Sequence, residues 1–225
     1  MAEDDPSGRG LDVAEPTSGL QHDGEDPLLD HLCQVGSNLD RERAAAPALV
    51  AELLSSPPEL CADQLWTDDR FHTWGVCELL LARSAEAAEA DEPAEAGLLA
   101  GLTLAGAERL DPARHASSVV EDLRARAWAI AGDARRRQGK LAEAEAALRA
   151  AAACLANGTG DLLVDAHLLE FEAALRREQG RTGEAAALLK LAAARYRETG
   201  EVQLFERALA AREAMLRRER AMETT

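Results

Sequence analysis

Aromatic residues are scarce in this 225-residue chain: three Trp, three Phe and one Tyr make up 3% of it. β-Sheets draw on aromatic and β-branched side chains, so the scarcity argues against a sheet protein. Basic residues are outnumbered, 25 Lys and Arg against 41 Asp and Glu, for a formal net charge of −16. Such a chain repels phosphate, which counts against direct nucleic-acid binding. The four cysteines, Cys33, Cys61, Cys77 and Cys154, contain no CxxC pair. They are expected to be free buried thiols in a reducing cytoplasm. Long apolar runs are missing as well, so no membrane span is expected. Residues 1–20 are acidic and lack the apolar segment of a signal peptide.

Signatures of catalysis are equally thin. The segment AGLTLAG (100–106) lacks the GK[ST] ending of a phosphate loop. Ser55-Ser56 and Ser117-Ser118 fall in turn or helix-start contexts with no His and Asp set beside them. His31, Cys33, Cys61, His72 and Cys77 are irregularly spaced, without the short cysteine separation of structural zinc sites. No enzyme activity, metal or cofactor is therefore expected.

What the chain does have is Ala and Leu, within a hydrophobic fraction of 47%. That composition suits all-α packing with small residues where helices cross. Residues 1–25 carry Pro6, Pro16, four glycines and many acids without a helical stripe, and read as a disordered acidic tail. Ten acids and one Arg give residues 1–40 a charge of −9. Asp26-Pro27 should open a short helix with Leu28, Leu29, Leu32 and Val35 on its apolar side. A second is expected over Asp40–Leu54, with Ala46, Leu49, Val50, Leu53 and Leu54 inward. Pro57-Pro58 breaks it before a third helix, Pro58–Trp66, completing an N-terminal helical cap over residues 26–67. Residues 68–225 read as helices over 68–90, 93–110, 117–138, 141–156 and 162–179, a further one ending at Thr199-Gly200, and a last helix over 201–221 with a solvated Arg/Glu-rich side. Trp74, Trp128, Phe171 and Phe205 are expected in the core, and Trp66 half exposed near the cap.

Residues 125–153 carry Trp128, Gly132, Ala134, Gly139, Leu141, Ala144, Leu148 and Ala151 at helical-hairpin positions. This pattern resembles the tetratricopeptide repeat (TPR), with Ala131 in place of the usual Leu and Leu148 in place of the second aromatic. Gln179-Gly180, Glu184-Ala185, Leu189 and Ala192 repeat it more weakly, and Ser84 with Ala96 suggests a third copy. Ala96, Ala144 and Ala185 lie 48 and 41 residues apart. The usual TPR period is about 34, so longer helices and a longer 111–116 loop are expected. The strings RFHTWGVCELLLARS, AGAERLDP, VEDLRARAWAIAGDARR and GTGDLLVDAHLLEFEAALRREQ are similar to a group of largely uncharacterised bacterial TPR proteins. Some of those relatives add a helix-turn-helix domain, but residues 26–66 lack a basic recognition helix.

The resemblance implies a TPR-like α-solenoid of antiparallel helix hairpins, closed by the N-terminal cap and a C-terminal capping helix. The first helix of each hairpin would line a concave groove. Matching positions are Glu78, Leu81, Ala85 and Ala88; then Arg126, Ala129, Asp133, Arg136 and Arg137; then His167, Glu170, Ala174, Arg177 and Glu178. The candidate site is Arg126, Asp133, Arg137, His167, Glu170 and Arg177. Arginine forks engage carboxylates through paired hydrogen bonds, so an acidic segment or C-terminus is the partner expected. The competing expectation is that these arginines make ordinary ion pairs on a solvated face. TPRs that clamp chaperone C-termini use Lys and Asn at these positions, and this chain has neither residue there. The implied function is a non-catalytic interaction scaffold. A ligand- or peptide-sensing module acting on a separate transcription or signalling protein is the alternative, and a homodimer through the last helix is left open.

Overall fold

A computed structural model describes residues 27–223, and every regular element in that stretch is helical. The acidic tail expected over 1–25 lies outside the described residues. The helices are α1 (Pro27–Leu54), α2 (Pro58–Thr67), α3 (Trp74–Glu89), α4 (Pro93–Ala107), α5 (Ser117–Arg137), α6 (Leu141–Leu155), α7 (Leu162–Glu178), α8 (Thr182–Thr199) and α9 (Val202–Glu223). A 3-10 turn, Asp69–Phe71, precedes α3. Each helix packs on its predecessor from α4 onward, and α3, α5 and α7 touch in succession. The chain is thus laid down as the pairs α3/α4, α5/α6 and α7/α8, with α1 against α3 at one end and α9 against α8 at the other.

One turn design recurs at every tight corner. The amides of Glu92, Lys140, Arg181 and Glu201 donate back to the carbonyls of Ala87, Arg135, Arg176 and Tyr196. Closing the helix this way needs a left-handed residue just before each of those amides. Gly139, Gly180 and Gly200 supply it at φ of 75–80°, and Asp91 fills the same place at φ 61°. Below each turn the paired helices cross on small residues. Ala96, Ala144 and Ala185 are all 0% exposed. A Cβ on Gly132 would stand 2.8 Å from Leu148 and 3.4 Å from the Ala144 carbonyl, so only glycine lets α5 and α6 approach this closely. Ser84 takes that place in α3, where its hydroxyl donates to the Ala96 carbonyl at 2.8 Å. The pairing expected between Ser84 and Ala96 is present.

The N-terminal region differs from expectation. Two helices were expected over 26–54, but α1 is one helix of 28 residues. Gly36, Ser37 and Asn38 look like a break by propensity. Side-chain hydrogen bonds hold the turn helical instead: Ser37 Oγ donates to the Cys33 carbonyl and Gln34 to Asn38. Pro47 sits inside α1 on its exposed side, where the carbonyl it leaves unbonded can be hydrated. The expected start of a long helix at Asp68 is also displaced. Asp68 caps the 3-10 turn, and Thr73, in extended conformation, caps α3 by accepting from the Val76 amide. Buried Phe71 and a 2.7 Å contact from His72 Nε2 to the Leu65 carbonyl hold this break in place.

The aromatics are spread along the stack. Trp66 is half exposed beneath the Arg109 guanidinium, while Trp74, Trp128, Phe171 and Phe205 are partly buried against the core clusters. Tyr196 is the largest fully buried side chain.

Cys61, Cys77 and Cys154 are buried, but Cys33 is exposed, contrary to the expectation of four buried thiols. It stands on the part of α1 that extends beyond the packed body. Burial pushes the Cys77 thiol up to about 12 and that of Cys154 to about 11, withholding the reactive thiolate. In native protein a thiol reagent should therefore titrate Cys33 quickly and the other three only on unfolding. Fast reaction of more than one equivalent would contradict this packing.

Candidate functional site

The positions named from the TPR resemblance fall into three environments along α5 and α7. The first is the C-terminal end of α5. Asp133 is 2% exposed and accepts from Arg136 and Arg137 at 2.7–2.8 Å. Arg137 also reaches Asp91 at 2.8 Å, and Arg136 pairs with Glu178 of α7. Asp133 and Arg137 therefore tie neighbouring turns together. Both carboxylate-facing edges of the Arg137 guanidinium are engaged inside the chain.

The second environment is the middle of α5. Arg126 is exposed and makes no ion pair among the described residues; its charge acts on Glu78 of α3 and His167 of α7, which places it between the two. Glu78 is held by Arg43 of α1 through hydrogen bonds of 2.7 and 2.9 Å, which keep its carboxyl below the ordinary range. His167 meets the ring of Tyr196 edge-on at 5.6 Å.

Burial lowers the His167 pKa from 6.5, with Glu170 opposing the shift and Arg126 and Arg207 adding to it. Its folded value lies below its unfolded one, so the unfolded chain takes up the proton first. The stability that goes with neutral His167 is complete above pH 6.5 and is lost as pH falls below it. His115, stacked on Trp74 and also lowered by burial, acts in the same direction. Urea unfolding should show stability falling between pH 7 and 5.5, and His167→Asn should flatten that slope; an unchanged slope would refute the assignment.

The third environment is a groove of about 670 Å³ between α7 and α9, floored by α8. Ala173, Ala174, Leu189, Ala211 and Met215 supply its apolar surface, while Glu170, Arg177, Arg218 and Glu219 supply its charge. Glu170 is already occupied, by the Tyr196 hydroxyl at 2.6 Å and Arg207 at 3.0 Å. Among the described residues neither Arg177 nor Arg218 has an ion pair. The uncommitted charges lining the groove are thus two arginines against Glu219. Glu170 and Arg177, both expected at the site, share this wall.

Arg218 and Met215 were not expected there, nor Arg207 beside Glu170. The Arg/Glu-rich side of the last helix reads as a solvated cap. In the structure that side is largely exposed, and α9 also forms one wall of the groove, with Ala211, Met215 and Arg218 at helical spacing facing α7. That spacing was the available signal. Tyr196 also went unnamed, although it is the sole tyrosine and positions Glu170.

Among the described residues no group of three or more His, Cys, Asp or Glu is arranged to hold a metal ion. No helix there is long and apolar enough to cross a membrane. No family model, curated protein or solved structure matches the chain.

Proposed function

We propose that the chain is a TPR-like α-solenoid, in which α1 and α2 cap one end and α9 the other. We further propose that it is a non-catalytic scaffold binding an acidic peptide segment. The single observation that carries the reading is the α7–α9 groove, where Arg177 and Arg218 stand uncommitted above an apolar floor. An extended segment with carboxylates flanking an aliphatic side chain is complementary to it. The carboxylates meet the two guanidinium groups, and the aliphatic side chain displaces water from Leu189 and Met215. Arg126 adds positive charge beside His167 of α7. Tyr196 and Arg207 hold Glu170 back, so that its carboxylate does not repel the ligand. The paired helices are ordered before binding, which limits the entropic cost of association.

The test is fluorescence anisotropy with a labelled acidic peptide built on Glu-Glu-Leu and ending in a free carboxylate. Its Gln-Gln-Leu isostere with an amidated end is the control. The reading expects binding of the acidic peptide that weakens as salt is raised, and loss of most of that affinity with the neutral isostere. Equal affinity for the two peptides would overturn it.

A further inference from the structure

α1 carries an apolar stripe interrupted by the buried Glu42, and the body of the protein covers only part of it. Toward the C-terminal end of α1 the stripe is Ala46, Val50 and Leu53, all buried against the body. The same stripe continues N-terminally through Leu39, Val35, Leu32 and Leu28, at successive spacings of four, three and four residues. There Leu32 is 56% exposed and Val35 37%, with Leu29 beside them at 58%. Leu28, Leu29, Leu32 and Val35 were expected to form the apolar side of a short helix in the N-terminal cap. Gln34 and Val35 line a cavity with Ala113, Arg114 and His115, and before them the overhang from 28 to 33 is about 9 Å of helix beyond that contact.

Alternating steps of three and four give the 3.5-residue repeat by which two helices wind together. Charge then selects the partner. Between Leu28 and Leu39 the sequence holds one acid, Asp30, and no Lys or Arg, in a chain whose net charge is −16. Within the stripe itself a charged segment finds little to recognise. The sequence of residues 1–26 offers no matching stripe: beyond Met1 its only aliphatic side chains larger than Ala are Leu11, Val13 and Leu20, divided by Pro16. A second copy supplies an identical uncharged stripe, and two-fold symmetry makes the match self-complementary. Gly36 fits this account. No atom lies within 4 Å of where its Cβ would stand, so nothing inside the chain calls for a glycine there, whereas a helix laid beside Val35 does.

We infer that the overhanging part of α1 is a self-association seam, where two copies of the chain pair antiparallel through Leu32 and Val35. The antiparallel arrangement puts the two acidic bodies at opposite ends of the seam, where they repel least. The seam is shorter than a standard interface of about 1,600 Å², so the dissociation constant should be on the order of 10 μM.

The exposed Cys33 reports on the seam directly. Sedimentation of the full chain should show its 24.0 kDa mass doubling as concentration rises through the micromolar range. A spin label on Cys33 should give an intermolecular distance on the order of 20 Å, as interaxial spacings of about 8–10 Å require. In Leu32→Glu/Val35→Glu, whose altered side chains are exposed, helicity and melting should be kept while both the doubled mass and that distance are lost. A mass of 24.0 kDa at every concentration up to about 100 μM would overturn the inference. So would a dimer that survives the double substitution, which would place self-association elsewhere, α9 included. The groove reading is independent of either outcome.

Discussion

Replacing Asp133 with Ala should lower the unfolding free energy by about 3 kcal/mol, the usual cost of stripping one partner from a buried ion pair. The carboxylate is 2% exposed and accepts from two arginines at once. One of them, Arg136, has a side chain only 10% exposed, so water cannot replace what it loses. The damage should spread beyond α5. Arg136 carries the link to Glu178 on α7, and Arg137 the link to Asp91 at the α3/α4 turn. Asp133→Asn keeps the shape and one acceptor while removing the charge, and should cost about half as much. Urea denaturation of the three proteins measures this. A loss below about 1 kcal/mol for Asp133→Ala would show that the network is no stronger than an exposed surface pair.

Asp133 also shows where the sequence was legible and where it was not. The hairpins could be read because their causes are local. Gly139 and Gly180 end helices, and the buried alanines Ala96, Ala144 and Ala185 recur at matching places beyond the turns. Asp161 could likewise be read as a cap, and it accepts from the amides of Leu163 and Val164. The site was harder because its causes are distant. Asp133 looks like a groove residue by alignment, yet the arginines it holds in place reach Asp91 and Glu178, 46 and 42 residues away. No spacing rule in the sequence joins those residues. The last helix could be read only in part for a similar reason: its Arg/Glu side is exposed as expected, while its place beside α7 is not written in its own sequence. A mixed Arg/Glu surface is what a solvated cap and a charged groove wall both require, and only the position of α7 distinguishes them. In α1 the weak helix formers Gly36, Ser37 and Asn38 fall between the two helices expected, but side-chain hydrogen bonds within one turn keep the helix continuous.

The charge-reversed variant Arg177→Glu/Arg218→Glu should bind the acidic Glu-Glu-Leu peptide at least tenfold more weakly. Each hydrogen bond to a charged group is worth about 1.5–3 kcal/mol, and reversal adds repulsion to its loss. The fold should tolerate the change, since neither arginine has an ion pair among the described residues, Arg218 is exposed and Arg177 lines the open groove. Arg126→Glu, farther along the same face, should have a smaller effect that grows with peptide length. Arg137→Glu should instead act mainly through stability, because that guanidinium is committed to Asp91 and Asp133.

The most direct test is the anisotropy titration of wild type and Arg177→Glu/Arg218→Glu side by side, with urea melts confirming equal stability. The account predicts saturable binding by wild type and little or none by the variant. Equal binding by both proteins, or no binding of the acidic peptide by wild type, would contradict it.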